Sequence, residues 1–160
     1  MYSKSTVKGF FMFIFIPIRP RPKQSVRKGK YGFYQPKDLV EYIESLRTYI
    51  KSQWTSEPLE GAVGFEVIFI FPYPKSYPKS KRRLWEFSCK RPDIENLEKP
   101  LMDALKNLVY KDDSQVCYKK AFKVYSNFSG ILVKVFKVDS QDFGDITYRL
   151  NLLSKENQYG

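Results

Sequence analysis

Six carboxylates fall between positions 93 and 113: Asp93, Glu95, Glu98, Asp103, Asp112 and Asp113. Only Lys99, Lys106 and Lys111 oppose them. Around this acidic island the chain is strongly basic, with 28 Lys and Arg against 17 Asp and Glu and a net charge of +11. Crowded carboxylate oxygens suit a hard divalent cation. Magnesium typically takes one or two protein carboxylates and keeps waters and a substrate phosphate as its other ligands. The same spacing has a plain structural reading. Asp93, directly after Pro92, is a good helix N-cap; Glu95, Lys99 and Asp103 form a solvated helix face; and Asp112–Asp113 make a turn. Spacing alone leaves both open, and the crowding of Asp93, Glu95 and Asp112–Asp113 depends on the chain folding back across the helix.

Those residues need elements to carry them. A helical period runs from Ile94 to Leu108 through Leu97, Leu101, Ala104 and Leu105, with Glu95, Asn96, Lys99, Asp103 and Lys106 on the opposite arc. Pro100 interrupts it. A proline inside a helix removes a hydrogen bond, so the regular helix is expected to start near Lys99, leaving 93–98 as a looser, ligand-presenting turn. Upstream, the aromatic and β-branched run at about 8–18 reads as a strand. Residues 38–54 read as an amphipathic helix entered after Pro36, and 63–71 as an almost wholly apolar strand. Downstream, 115–126 and 131–138 read as a β-hairpin turning at Asn127 to Gly130. The order is β-α-β-α-β-β: an α+β fold, a mixed sheet with two helices. It is expected to form one domain over residues 1–160 with its core at about 8–138. In the ambiguous tail, 146–152 reads as a further strand.

Between these elements lie two basic loops. Arg19 to Lys37 holds seven basic residues and no acid; Lys75 to Arg91 holds seven against Glu86 alone. Half of all the basic charge thus sits in under a quarter of the chain, a clustering that marks a surface for a polyanion. The complete lack of His removes imidazole as a base, nucleophile or zinc ligand. Hydrolytic chemistry is left to carboxylates, Lys, Tyr, hydroxyls or a bound hard cation. Cys89 and Cys117 have no metal-site spacing and read as small semi-buried side chains in a reducing compartment. Trp54 and Trp85 read as core first and as part of a dimer surface second. The apolar run Phe10–Ile16 is far shorter than the roughly 20 residues of a spanning helix, and Pro17-Ile18-Arg19-Pro20 follows it in place of a small-residue cleavage site. A cytoplasmic protein with no membrane partner and no organic cofactor is expected.

The string PDIENLEKPLMDALKNLVYKDDSQV, Pro92 to Val116, resembles the PDxDNLxK…DALN…DDxQV signature of the RusA-type Holliday junction resolvases. The likeness extends to Pro74-Lys75-Ser76 and to Pro20 through Lys23, and spans most of residues 10–126. The motif block is specific, with several residue types at fixed offsets. The resemblance implies a RusA-like fold and a small homodimeric endonuclease of bacterial phage or prophage origin. Such an enzyme depends on magnesium, with manganese as a substitute, binds four-way junction DNA and makes paired nicks across it. Paired nicks call for paired sites, hence the two-fold symmetry.

Carried over by position, the resemblance makes Asp93, Glu95 and Asp113 metal ligands, with Asp112 beside them. Lys99 falls near the scissile phosphate, and Asn96 and Asp103 act as supporting groups. Arg19, Arg21, Lys23, Arg27, Lys28, Lys30, Lys75, Lys79, Lys81, Arg82 and Arg83 are the expected DNA contacts. Glu95 departs from the family's usual Asp and lengthens the carboxylate's reach by one methylene.

Three other readings compete. The PD…(D/E)xK pattern of restriction-type nucleases fits weakly, because Glu98 and Lys99 are adjacent and on a helix. A non-catalytic nucleic-acid-binding protein would explain the basic loops and leave the acidic island unexplained. A membrane-surface protein would need an exposed basic amphipathic helix, and 38–54 is mixed in charge.

Overall fold

The computed structural model describes residues 10–138 and 144–158. Its elements run β1 (Phe11–Ile16), β2 (Arg27–Gly29), β3 (Gly32–Tyr34), α1 (Lys37–Gln53), β4 (Val63–Pro72), β5 (Trp85–Phe87), α2 (Ile94–Leu105), β6 (Val116–Ser126), β7 (Gly130–Lys137) and α3 (Asp145–Gln158). Five strands form a mixed sheet in the order β1-β7-β4-β6-β5, while β2 and β3 form a separate two-stranded ribbon. The expected α+β class holds.

The strand β4 takes the centre because it is the most apolar. Val63, Phe65, Val67 and Phe69 are fully buried on its helix-facing side. It pairs with β6 in parallel and with β7 antiparallel. The hairpin expected between β6 and β7 therefore does not form: β4 lies between them. Residues 127–129 cross the end of β4 instead, a gap of about 10 Å, or two strand spacings, that three extended residues can span.

Both α1 and α2 pack on one face of the sheet. Leu39, Tyr42, Leu46 and Ile50 from α1 and Leu97, Leu101, Ala104 and Leu105 from α2 join Ile14, Ile16, Val133 and Val135 in a single core. Arg47 of α1 donates to the carbonyls of Ala104 and Lys106 at 3.1 and 2.8 Å, satisfying oxygens that the end of α2 leaves without helical donors. The opposite face of the sheet exposes Phe11, Phe13, Trp85 and Phe87.

Several expectations need correction. The first strand is shorter than 8–18. Each basic loop contains strand: the first folds into the ribbon β2–β3, the second adds β5 to the sheet edge. The second helix starts at Ile94, so residues 93–98 are not a loose turn, and it stops at Leu105. Asn107, at φ 66°, turns the chain out of it. The tail is helical where a strand was expected. Cys89, Cys117 and Trp85 are exposed, whereas Trp54 is buried as expected. Among the described residues no helix is long and apolar enough to cross a membrane.

Candidate active site

The site is built around the start of α2 and the turn that follows its end. Asp93 occupies the N-cap position, yet its side chain makes no capping hydrogen bond. Its main-chain carbonyl accepts from the N–H groups of Asn96 and Leu97, the ordinary first bonds of the helix. The exposed carboxylate is thus left available, against the plain capping reading. From β6, Lys123 reaches across and donates to the carbonyls of Lys90 and Pro92 at 2.6 and 2.9 Å, so the segment that delivers Asp93 is tied to the sheet.

Two residues along, Glu95 is exposed, and one turn further Lys99 sits between Asp103 and Asp113. The Lys99 Nζ lies 2.9 Å from Asp103 Oδ1 and 3.7 Å from Asp113 Oδ2. The hydrogen bond from Lys99 to Asp103 and the nearby charge of Asp113 hold its ammonium above its ordinary pKa, against a partial desolvation. The fully buried Tyr110 places its hydroxyl 3.2 Å from Asp113 Oδ1 and 3.3 Å from the Met102 carbonyl. Burial first, and then the charge of Asp113, push the Tyr110 phenol far up, so it serves as a donor and not as a base.

Asp112 and Asp113 have different work. Asp112 Oδ1 accepts from the Ser114 N–H at 2.9 Å, and Gln115 Oε1 accepts from the Asp112 N–H, a reciprocal capping box around the short 3₁₀ turn Asp113–Gln115. Gln115 also donates to the carbonyls of Leu59 and Gly61. This fixes the turn and aims Asp113 back at Lys99.

A cavity of about 480 Å³ opens beside these groups, lined among others by Lys23, Glu95, Glu98, Lys99, Asp103 and Lys119. Glu98 is only 5% exposed and is ion-paired with Lys119 of β6. The structure therefore brings together Lys99, Asp103, Asp113 and Tyr110, and sets Glu95 on the same cavity. Among the described residues no three acidic or Cys side chains already converge as a cation cage. The donor chemistry nevertheless fits magnesium: every available donor is a hard carboxylate oxygen, and one or two suffice.

Sequence reasoning passed over Tyr110, Lys119 and Lys123. Glu98 offered a signal for one of them. At about 100° per residue it falls on the arc of Leu101 and Leu105, and a carboxylate on an apolar face requires a partner. Among the expected DNA contacts, Arg21 is committed to Asp38 at 2.8 Å and lies over the Tyr42 ring. Arg82 donates to the carbonyls of Pro74 and Tyr77 and lies over Tyr73. Both shape their loops. Arg19, Lys23, Arg27, Lys28, Lys30, Lys75, Lys79, Lys81 and Arg83 are exposed.

A sheet-and-helix scaffold that gathers a lysine and carboxylates at one cavity, with the first basic loop on its lining, has the makings of a phosphodiester-cutting site. The model of the family described as endodeoxyribonuclease RusA matches residues 16–136. The chain is 32% identical over 112 residues to a crossover junction endodeoxyribonuclease rusA of Lactococcus phage r1t, covering 69% of this chain and 82% of that protein. It is also 32% identical over 127 residues to an uncharacterized protein, YqaN, of Bacillus subtilis (strain 168), covering 75% of this chain and 89% of that one. The chain belongs to the RusA family and is an endodeoxyribonuclease.

Proposed function

We propose that the chain resolves four-way DNA junctions by paired phosphodiester nicks, acting as a homodimer with magnesium as its cofactor. The observation that carries this reading is the approach of Lys99 to Asp113, 3.7 Å apart, which brings the turn after α2 back to the lysine that lines the cavity. The similarity to a phage enzyme named for crossover junctions supports the substrate and a phage or prophage origin.

Asp93, Glu95 and Asp113 would hold the metal, with Asp112 as a cap beside them. When bound, magnesium supplies positive charge for the phosphate and lowers the pKa of water. The chain's own residues do the rest. Lys99, held charged by Asp103 and Asp113, turns its ammonium to the nonbridging oxygens and stabilises the charge that grows there. Tyr110 steadies Asp113 through its hydroxyl. The exposed lysines and arginines of the two basic loops take the backbone phosphates of the junction arms, giving binding that weakens with salt.

A magnesium titration tests the reading. With a synthetic four-way junction, nicking appears only as magnesium is added, while binding persists without it. A protein that binds the junction and never nicks at any magnesium or manganese concentration is a binder, and the proposal fails.

A further inference from the structure

The ribbon β2–β3 has no part in the five-stranded sheet, yet it is firmly rooted. Before it, Arg21 and Gln24 both donate to Asp38, and the Lys23 N–H donates to the Asn96 carbonyl. After it, Pro36 is buried and the chain enters α1. Val26 and Gln35, immediately outside its two strands, line the same cavity as Glu95, Lys99 and Asp103. The ribbon thus springs from the rim of the active site.

Its aromatic residues are not where aromatic residues belong in a finished surface. Tyr31 is 94% exposed at the turn and Phe33 is 76% exposed. Tyr34 is accounted for: its ring lies against Gly29, close enough that a Cβ there would come within 3.1 Å of it. The other two rings have a lysine each. Lys30 Nζ lies 5.5 Å from the Tyr31 ring centroid, and Lys28 stands opposite Phe33 in the ribbon register. No acid occurs between Arg19 and Lys37. A ring with an ammonium over it and a second ring with a lysine across the ribbon from it, on a narrow ribbon with no negative charge, match bases with their phosphates and suit neither an acidic peptide groove nor a buried core.

We propose that this ribbon is a wedge for the branch point of the junction, where Tyr31 and Phe33 stack on base faces and Arg27, Lys28 and Lys30 take the flanking phosphates. The inference rests on the junction reading given above and deepens it. In an intact duplex each base face is covered by its neighbour. At a branch point the stack is interrupted and base faces can be uncovered, so the rings bind there and find nothing to stack on along an arm. The wedge therefore supplies preference for branched over linear DNA, while the lysines and arginines bind both.

A junction carrying 2-aminopurine at the branch point, bound in calcium in place of magnesium, reports unstacking as a rise in fluorescence. The wild-type protein raises it, and the Tyr31→Ala/Phe33→Ala double variant does not. The double variant also binds the junction roughly ten- to a hundred-fold more weakly, binds linear duplex as the wild type does, and nicks normally once unpaired bases are built into the branch point. Tyr31→Phe behaves as wild type. If the double variant gives the wild-type fluorescence and junction affinity, or loses duplex and junction binding equally, the wedge is wrong. If the wild-type protein neither binds nor nicks junctions in preference to duplex, the junction reading itself has failed, a result read on the wild type before any variant is compared.

Discussion

The Lys23 N–H donates to the main-chain carbonyl of Asn96 at 2.6 Å, at an interior position of α2 where the helix itself has no donor to offer. Four residues on from Asn96 stands Pro100, which has no N–H. The first basic loop fills that vacancy, and the proline thereby becomes the reason the loop can attach to the helix that bears Lys99. Pro100→Ala restores a helical donor that competes for the same oxygen. Amide hydrogen exchange at Lys23 is expected to speed up in this variant while α2 stays protected. Unchanged protection at Lys23 would show that the loop is held by something else.

Asp112 and Asp113, adjacent in sequence, are expected to separate cleanly on substitution. The backbone N–H of Ser114 draws the Asp112 carboxyl below its ordinary pKa, so its stabilisation is present at neutral pH and lost as pH falls through that lowered value. Asp112→Ala removes the cap and lowers the melting temperature by a few degrees; Asp112→Asn keeps the cap and nicks within a few-fold of wild type. Asp113→Asn lowers nicking by roughly a hundred-fold or more with junction binding intact. Equal losses from both Asn variants would place Asp112 in the chemistry.

Lys99 has a folded-state pKa above its ordinary 10.5. A raised pKa in a base means that its stabilising contribution is complete below 10.5 and disappears only as pH climbs through the higher value. Its ammonium is therefore charged at every pH at which DNA is a practical substrate, and the rate–pH profile should show no descending limb from Lys99 below about pH 10. Lys99→Met should cut kcat by roughly a hundred-fold and alter KM far less. A wild-type kcat would remove Lys99 from the reaction.

The Glu98–Lys119 pair anchors α2 to β6 beneath the cavity. Lys119→Met strands a carboxylate that is almost wholly buried, costing about 2 kcal/mol of stability in urea denaturation. Replacing both, with Glu98→Leu, should recover most of that loss because the stranded charge is gone. Additive losses in the double variant would show that the two side chains are not coupled.

Much of the architecture was legible where the local pattern was long and regular. The helical period of Leu39, Tyr42, Leu46 and Ile50 and the apolar run of β4 both stand where they were expected. The failures have physical causes. β6 and β7 read as a hairpin because sequence neighbours usually pair, and only the burial of β4 on its own terms places it between them. Strands of three residues, as in β2, β3 and β5, are too short to show a period. In the tail, Ile146, Tyr148, Leu150 and Leu152 alternate as in a strand, yet the segment is helical. Pro100 argued against a helix by a local rule, and a tertiary hydrogen bond overrode it.

The candidate site was legible as a set of residue types and not as a geometry. Nothing in the order Asp112–Asp113 says which one caps the turn and which one faces Lys99. That is decided by Gln115, which holds the turn through Leu59 and Gly61, more than fifty residues away in the chain.

Asp93, whose carboxylate makes no capping hydrogen bond at the head of α2, is proposed to belong to a magnesium site that nicks junctions in pairs. The most direct measurement maps the cleavage products of a labelled four-way junction for the wild-type protein and Asp93→Asn, each with and without magnesium. The wild type is expected to make symmetrical paired nicks only with magnesium, and Asp93→Asn to leave the junction intact but bound. Magnesium-dependent paired nicking by Asp93→Asn at the wild-type rate would contradict that assignment.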